Sequence, residues 1–131
     1  MSKADLYQRL DKVNEIRLSV KGRKSGREIS RPVWFVHEGN ILYLLPNRGS
    51  ITQWYKNILA GSILKISVNG LEVSVRGKPI TDKKGVGNVI DRFQFKYGQD
   101  SKKHYTNFDV TVKIVYNKMQ LINTKYFHIF I

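Results

Sequence analysis

The stretch "SILKISVNGLEVSVRGKPI" (residues 62–80) decides the fold class. Two segments of alternating apolar and polar residues flank Asn69-Gly70, which is a strong short-range signal for a two-residue hairpin turn. We therefore predict two antiparallel strands, at 62–68 and 71–80. The alternation places one face of each strand against a core and leaves the other face in water.

Further strands are predicted on both sides of this hairpin, at 16–20, 29–37, 41–45 and 108–116. These segments alternate in the same way or are rich in β-branched and aromatic residues. A Gly-Arg-Lys-Ser-Gly turn separates the first two, and Glu-Gly-Asn closes a hairpin between the second and the third. Pro32 has no amide hydrogen, so it indicates an edge or an opening in its strand.

Apolar residues spaced three and four apart predict short helices at 4–16, 50–61 and 81–98. In the second helix, Ser50 is the expected N-cap and Gly61 the expected end. Its apolar stripe is predicted to contain Ile51, Trp54, Tyr55, Ile58 and Leu59. In the third helix, Thr81 or Asp82 is the expected cap, and the residues predicted to face the core are Val86, Val89, Ile90 and Phe93.

This order of elements predicts a mainly β fold with short helices (α+β). Because the connections are of hairpin length, we expect a mostly antiparallel sheet, and closing it into a small barrel would remove unprotected edges. The length of 131 residues suits one domain spanning 1–131. The apolar tail at 117–131 has no evident turn chemistry, and its role is left open.

Composition narrows the choice of partner and compartment. The net charge is +13, from 23 basic and 10 acidic residues, which favours anionic partners but also fits solvated surface charge. There are no cysteines, and no apolar segment resembles a secretory signal or a membrane span. We therefore expect a cytoplasmic protein.

The basic turn "GRKSG" (22–26) can hold an anion through backbone N–H groups and charged side chains, or it is a basic hairpin tip in water. Its glycine spacing excludes a phosphate loop of the nucleotide-hydrolase type. The three histidines stand far apart without carboxylates at ligand spacing, so no metal site is expected. No motif for a nucleophilic residue occurs, so if the protein is an enzyme, we expect a cofactor to supply its chemistry.

An ordered set of motifs carries a family resemblance: "GRKSG", "RPVWFV" (31–36), "EG" (38–39), "NRG" (47–49) and "WYKNIL" (54–59). In this order they resemble the deazaflavin-dependent nitroreductase family of the flavin-binding split β-barrel superfamily. The match is good over 16–80 and loose over 81–116. The resemblance implies a split β-barrel that binds coenzyme F-420, an 8-hydroxy-5-deazaflavin with a phosphate and an oligoglutamate tail.

The resemblance also implies which residues hold this cofactor. Arg23, Lys24 and Ser25 would face the phosphate and tail. The ring would be lined by Ile29, Ser30, Arg31, Pro32, Val33 and Trp34. The ring and its polar edge would contact Leu45, Pro46, Asn47 and Arg48, and the site would be closed by Gln53, Trp54, Tyr55 and Asn57.

The function that follows is hydride transfer from reduced coenzyme F-420 to an electron-poor substrate such as a quinone, an enone or a nitro compound. The runner-up is an FMN-binding relative, or a cofactor-binding or carrier protein without turnover. A nucleic-acid binder is a third interpretation, but the aromatic residues fall mostly at core-facing positions, which argues against exposed stacking platforms. The expected partners are an anionic cofactor and a small-molecule substrate, with the protein a monomer or a homodimer.

Overall fold

The computed structural model describes residues 3–61 and 63–116, so Ser62 and the predicted tail at 117–131 lie outside the described residues. Within that part of the chain the α-helices are Lys3–Asp11 (α1), Gln53–Gly61 (α2) and Lys83–Tyr97 (α3). Short 3-10 helices span Gly49–Ile51 and Gln99–His104. The strands are Ile16–Lys21 (β1), Glu28–Val33 (β2), Phe35–Glu38 (β3), Ile41–Leu44 (β4), Ile63–Val68 (β5), Leu71–Arg76 (β6), Lys78–Ile80 (β7) and Thr111–Val115 (β8).

The strands form two antiparallel four-stranded sheets, in the orders β2-β1-β5-β6 and β3-β4-β8-β7. The predicted mainly β class with short helices is confirmed. The sheets are not closed, so the expected continuous barrel is corrected to two open sheets. The hairpin of β5 and β6 turns at Asn69 and Gly70, whose φ angles of 45° and 83° confirm the predicted turn.

Two predicted single strands are each divided between the sheets. The segment predicted at 29–37 breaks at Trp34, so that β2 belongs to the first sheet and β3 to the second. The segment predicted at 71–80 breaks at Gly77, where a Cβ would lie 3.0 Å from side-chain atoms of both Leu64 and Val112. A side chain at this crossing point would therefore press into the core. Pro32 lies in β2, at the edge of its sheet, as predicted.

The main core lies between the inner faces of the two sheets. β1, β4, β5, β6 and β8 each bury two or more apolar side chains there, β3 adds Phe35, and α1 adds Leu6 and Leu10. Burying each such aliphatic side chain contributes about 1.5–3 kcal/mol. A smaller apolar cluster joins α3 to the second sheet through Val36, Leu45, Val89 and Phe93.

The helix predictions need several corrections. The second helix begins at Gln53, because Gly49–Ile51 is a separate 3-10 helix and Ser50 is not the α2 cap. Tyr55 and Ile58 are buried as predicted, whereas Ile51 and Leu59 are 47% and 56% exposed.

At α3 the predicted cap is confirmed, since the Asp82 carboxylate accepts from the Gly85 amide at 2.8 Å. α1 ends at Asp11, well before the predicted residue 16, and β8 begins at Thr111 instead of residue 108. None of the helices within residues 3–61 and 63–116 is long and apolar enough to cross a membrane.

The C-terminal end of α3 is attached to the start of β3 by polar contacts around Phe35. The Phe35 amide donates to the Tyr97 hydroxyl at 3.0 Å, and the Lys96 ammonium donates to the Phe35 carbonyl at 2.7 Å. Lys96 Nζ also lies 3.5 Å from the centre of the Phe35 ring. Loss of solvent around this amine lowers the pKa of Lys96 to about 8, although the charge of Asp11 acts in the opposite direction.

The lowered pKa of Lys96 predicts a pH-dependent stability. Between about 8 and the ordinary value of 10.5 the unfolded chain binds more protons than the folded one, so the free energy of unfolding should rise with pH. Urea titrations at about pH 7 and about pH 9.5 give the free energy of unfolding of wild type and of Lys96→Met. The value for wild type minus the value for the variant should be larger at the higher pH. Lys102→Met, on the exposed 3-10 helix, is the control. If the difference in free energy of unfolding between wild type and Lys96→Met were the same at both pH values, the lowered pKa of Lys96 would be contradicted.

Candidate functional site

A pocket of about 740 Å³ opens beside β2, between the basic turn at 22–27, the β4–α2 loop (residues 45–52), the start of α2 and the end of the second 3-10 helix. This volume is in the usual range for small-molecule sites. The chain segments reach it from distant parts of the sequence. The predicted site residues that line it are Arg23, Lys24, Ser25, Ile29, Arg31, Pro32, Val33, Trp34, Leu45, Asn47, Arg48, Gln53, Trp54 and Asn57.

Three predicted site residues are not brought into this lining. Ser30 Oγ lies 2.7 Å from Ser19 Oγ, so the hydroxyl is paired with the neighbouring strand β1. Pro46 is buried, and its carbonyl accepts from the Gly49 amide at 3.0 Å. Tyr55 is 3% exposed and packs in the main core, next to Trp54 in sequence but on a different side of α2.

The basic turn between β1 and β2 is closed by its own backbone. The Gly22 amide donates to the Arg27 carbonyl at 2.7 Å, and the Gly26 amide donates to the Gly22 carbonyl at 2.9 Å. Gly26 has a φ of 73°, which an L side chain rarely adopts. The Ser25 hydroxyl accepts from the Arg27 amide at 3.2 Å. The turn therefore holds its basic side chains in a defined backbone geometry.

Arg23 connects this turn to α2. Its amide and one guanidinium nitrogen donate to the Asn57 side-chain oxygen at 3.1 and 2.8 Å, and its other terminal nitrogen donates to the Gln53 side-chain oxygen at 3.0 Å. Asn57 is 5% exposed, so this acceptor is buried. A guanidinium has five N–H donors, and the remaining ones are free to meet an anion. Arg23 is thus a tether as well as a candidate anion ligand.

Another part of the pocket lining is aromatic. The Trp34 ring stacks on Tyr97 with centroids 4.3 Å apart and planes 7° apart. The rings of His104 and Tyr105 meet Trp34 edge-on, at centroid distances of 5.0 and 6.2 Å. Such packed pairs hold one another in place. Loss of solvent raises the pKa of Tyr97 to about 12 and that of Tyr105 further, so both phenols stay neutral at physiological pH.

Several lining residues were not anticipated from the sequence: Glu15, Val20, Gly22, Thr52, His104 and Tyr105. His104 and Tyr105 arrive at the end of the second 3-10 helix, more than forty residues after the last motif of the resemblance. Their aromatic character was the only available signal. Glu15 adds one carboxylate to a lining whose other charged residues are Arg23, Lys24, Arg31 and Arg48.

The pocket lining thus combines cationic side chains with an apolar and aromatic wall. The described residues contain no group of three or more His, Cys, Asp or Glu side chains that could hold a metal ion. The chemistry of the site is that of a binding surface for a flat, partly apolar molecule with an anionic part.

Comparison with known proteins gives a family and a fold. The model of a family described as "uncharacterized protein conserved in bacteria (DUF2255)" matches residues 6–120. No curated protein matches the chain at a significant level.

Solved structures that are similar to the chain include an F-420-H2 dependent reductase (12% identity, 77% of this chain and 93% of that one, TM-score 0.61). A FAD-binding protein from Mesorhizobium loti aligns with 16% identity over 90% of this chain and 91% of that one, at a TM-score of 0.64. The heme storage protein of Vibrio cholerae aligns with 11% identity over 88% and 89%, at 0.68. At such identities the likeness shows the fold, and it confirms the predicted split-barrel class.

Removing the buried acceptor of Arg23 should destabilise the protein. Asn57→Ala leaves the Arg23 amide and guanidinium without their shared partner, and we expect a loss of about 1–3 kcal/mol in the free energy of unfolding. Gln53→Ala is the matched control, because it removes an exposed acceptor of the same guanidinium and should cost less than about 1 kcal/mol. Urea titration measures both. Equal losses would contradict the prediction that the buried Asn57 oxygen contributes more than the exposed Gln53 oxygen to holding Arg23.

Proposed function

The chain belongs to the DUF2255 family of proteins conserved in bacteria, and we propose that it is an oxidoreductase whose pocket holds a flavin-type cofactor, with coenzyme F-420 as the form favoured by its charge. One observation carries this proposal: a single pocket joins a cluster of cationic side chains to an apolar and aromatic wall. These are the two chemistries that a tricyclic ring with a phosphate requires. The fold is shared with proteins described as F-420-dependent, FAD-binding and heme-storing, which supports a ring-shaped ligand.

The cationic side chains of the lining bind the anionic part of the cofactor in this proposal. Lys24 and Ser25 lie on the backbone-closed turn, and Arg23 is held by α2, so these donors are placed before the ligand arrives. Preorganisation of this kind lowers the entropy lost on binding. Arg48 approaches from the β4–α2 loop on another part of the lining.

The apolar wall orients the ring and excludes water. Ile29 and Val33 of β2 contribute aliphatic surface, and Trp54 of α2 is half-buried against the core. Trp34 is fixed by its stack on Tyr97 and by the edges of His104 and Tyr105. The neutral Tyr105 phenol offers an O–H donor in this part of the lining, without the charge that would repel an electron-rich ring.

The bound cofactor, in its reduced F-420 form, would supply hydride chemistry toward an electron-poor organic acceptor, such as a quinone, an enone or a nitro compound. The chain's own contribution is to hold donor and acceptor at short distance and to keep water away from them. The packed rings of Trp34, Tyr97, His104 and Tyr105 suit a planar acceptor.

The charge of the protein favours the deazaflavin over FMN. Both ligands have a flat ring and a phosphate, but F-420 continues into several glutamate carboxylates. The net charge is +13, and Arg17, Lys21 and Arg27 lie in or beside the β1–β2 hairpin that carries the turn. Exposed ionic contacts are worth about 0.2–1 kcal/mol each, so about three of them give roughly a tenfold preference at low salt.

Competition titrations with F-420, FMN and riboflavin test this proposal. We expect F-420 to bind more tightly than FMN at about 0.05 M salt and the preference to shrink at about 0.5 M, because screening weakens exposed contacts. Lys24→Ala should weaken F-420 binding by about 1–3 kcal/mol and riboflavin binding much less. Lys83→Ala, which removes the same charge from the exposed start of α3, is the control.

Three outcomes discriminate among the candidates. Equal or tighter binding of FMN at low salt would favour an FMN-binding relative over the F-420 enzyme. Binding of F-420 without oxidation of its reduced form by any quinone, enone or nitro compound would favour a carrier without turnover. No binding of any of the three ring compounds would contradict the proposed function itself.

A further inference from the structure

The β4–α2 loop is held against the segment that precedes β8 by a carboxylate. Asp109 Oδ1 accepts from the Ser50 amide at 2.8 Å, and Asp109 Oδ2 accepts from the Ser50 hydroxyl at 2.5 Å. Loss of solvent acts to raise the pKa of Asp109, but the hydrogen bonds from Ser50, from the Asp109 amide and from the Asn107 side chain together outweigh it, and the pKa lies below its usual value. The carboxylate is therefore charged at neutral pH and accepts both hydrogen bonds.

The two segments also contact each other along their backbones. The Thr106 amide donates to the Asn47 carbonyl at 2.8 Å, and Arg48 and Asn107 form an isolated bridge. Gly49 has a φ of 59°, and a Cβ there would lie 2.8 Å from the Asn107 side chain and closer still to the Asp109 carboxylate. Only glycine allows this approach, so the contact is tight.

This contact sets the position of one cation in the pocket. Arg48 lies on the clamped loop, two residues before Ser50, and its amide donates to the Thr52 hydroxyl at 2.9 Å. The other cations of the lining, on the turn and on β2, belong to the β1–β2 hairpin. The spacing between Arg48 and those cations therefore depends on how the β4–α2 loop is held.

We propose that Asp109, which is not part of the pocket lining, is a positioning residue that acts through Ser50 to aim Arg48 at the anionic part of the ligand. The inference deepens the proposed function and rests on its anionic ligand. The charge of Asp109 and its positioning role should affect anion binding in opposite directions. A carboxylate near a basic site repels an anion, so its charge alone weakens anion binding, whereas its positioning role strengthens it.

The test compares Asp109→Asn with Asp100→Asn. Inorganic pyrophosphate is the probe, because it is an anion without a ring and so reports only on the cationic side chains of the pocket. Each substitution raises the net charge from +13 to +14, and the Asp100 side chain is 93% exposed on the second 3-10 helix. Positioning predicts that Asp109→Asn weakens pyrophosphate binding about three- to tenfold, the scale of a lost hydrogen bond, in isothermal titration. Asp100→Asn should leave it unchanged or slightly tighter.

A double-mutant cycle separates positioning from a merely structural role. In an Arg48→Ala background, Asp109→Asn should leave pyrophosphate binding unchanged or slightly tighter, whereas a general loosening of the pocket would still weaken it. Ser50→Ala removes the hydroxyl donor and keeps the Ser50 amide donor, so it should act in the same direction with a smaller effect. It serves as the test variant if Asp109→Asn does not fold.

The inference is overturned if Asp109→Asn, or Ser50→Ala in its place, binds pyrophosphate as tightly as wild type or more tightly, or if wild type does not bind pyrophosphate. It is also overturned if the effect persists in the Arg48→Ala background. Pyrophosphate binding that depends on Asp109, with no binding of F-420, FMN or riboflavin, would support the inference while contradicting the proposed function.

Discussion

Strand β1 is hydrogen-bonded along both of its edges, to β2 on one side and to β5 on the other, and the position of the pocket depends on this pairing. Its inward side chains Ile16, Leu18 and Val20 are buried in the main core, so the strand cannot slip without exposing them. The register that results makes β2 the edge of its sheet. One result is that the apolar residues of β2 and the basic turn that precedes it line the pocket together.

Two long-range attachments then hold cations from separate segments in the lining of one pocket. Arg23 joins the turn to α2 through Asn57, and Asp109 holds the loop that carries Arg48 through Ser50. Gathering several cations with one facing carboxylate, Glu15, is unfavourable in the absence of a ligand because like charges repel. A multiply charged anion relieves that repulsion. This is the physical reason for connecting the charge pattern with a phosphate- and carboxylate-bearing cofactor.

Local signals predicted local structure well. The Asn69-Gly70 turn and the Asp82 cap depend on neighbouring residues alone, and both are confirmed. The sheet changes at Trp34 and Gly77 were missed because they depend on side chains far away in sequence, such as Leu64 and Val112 around Gly77. Most of the candidate lining could be predicted, because the motifs lie within one stretch of the chain. The periodicity of α2 could not distinguish Trp54 from its buried neighbour Tyr55, and nothing local connects His104 or Tyr105 with β2.

If one pocket binds both the ring and the anionic part of a ligand, its lining segments should respond to that ligand together, and nuclear magnetic resonance can follow each of them. Titrating the ¹⁵N-labelled protein with F-420 should shift the amides of the basic turn, the β4–α2 loop and the Trp34 indole together, at one common affinity. Titration with pyrophosphate should shift only the amides of the turn and the loop. Shifts centred instead on the groove that contains Asp11, His37 and Lys96, or shifts scattered over the basic surface without saturation, would contradict the account.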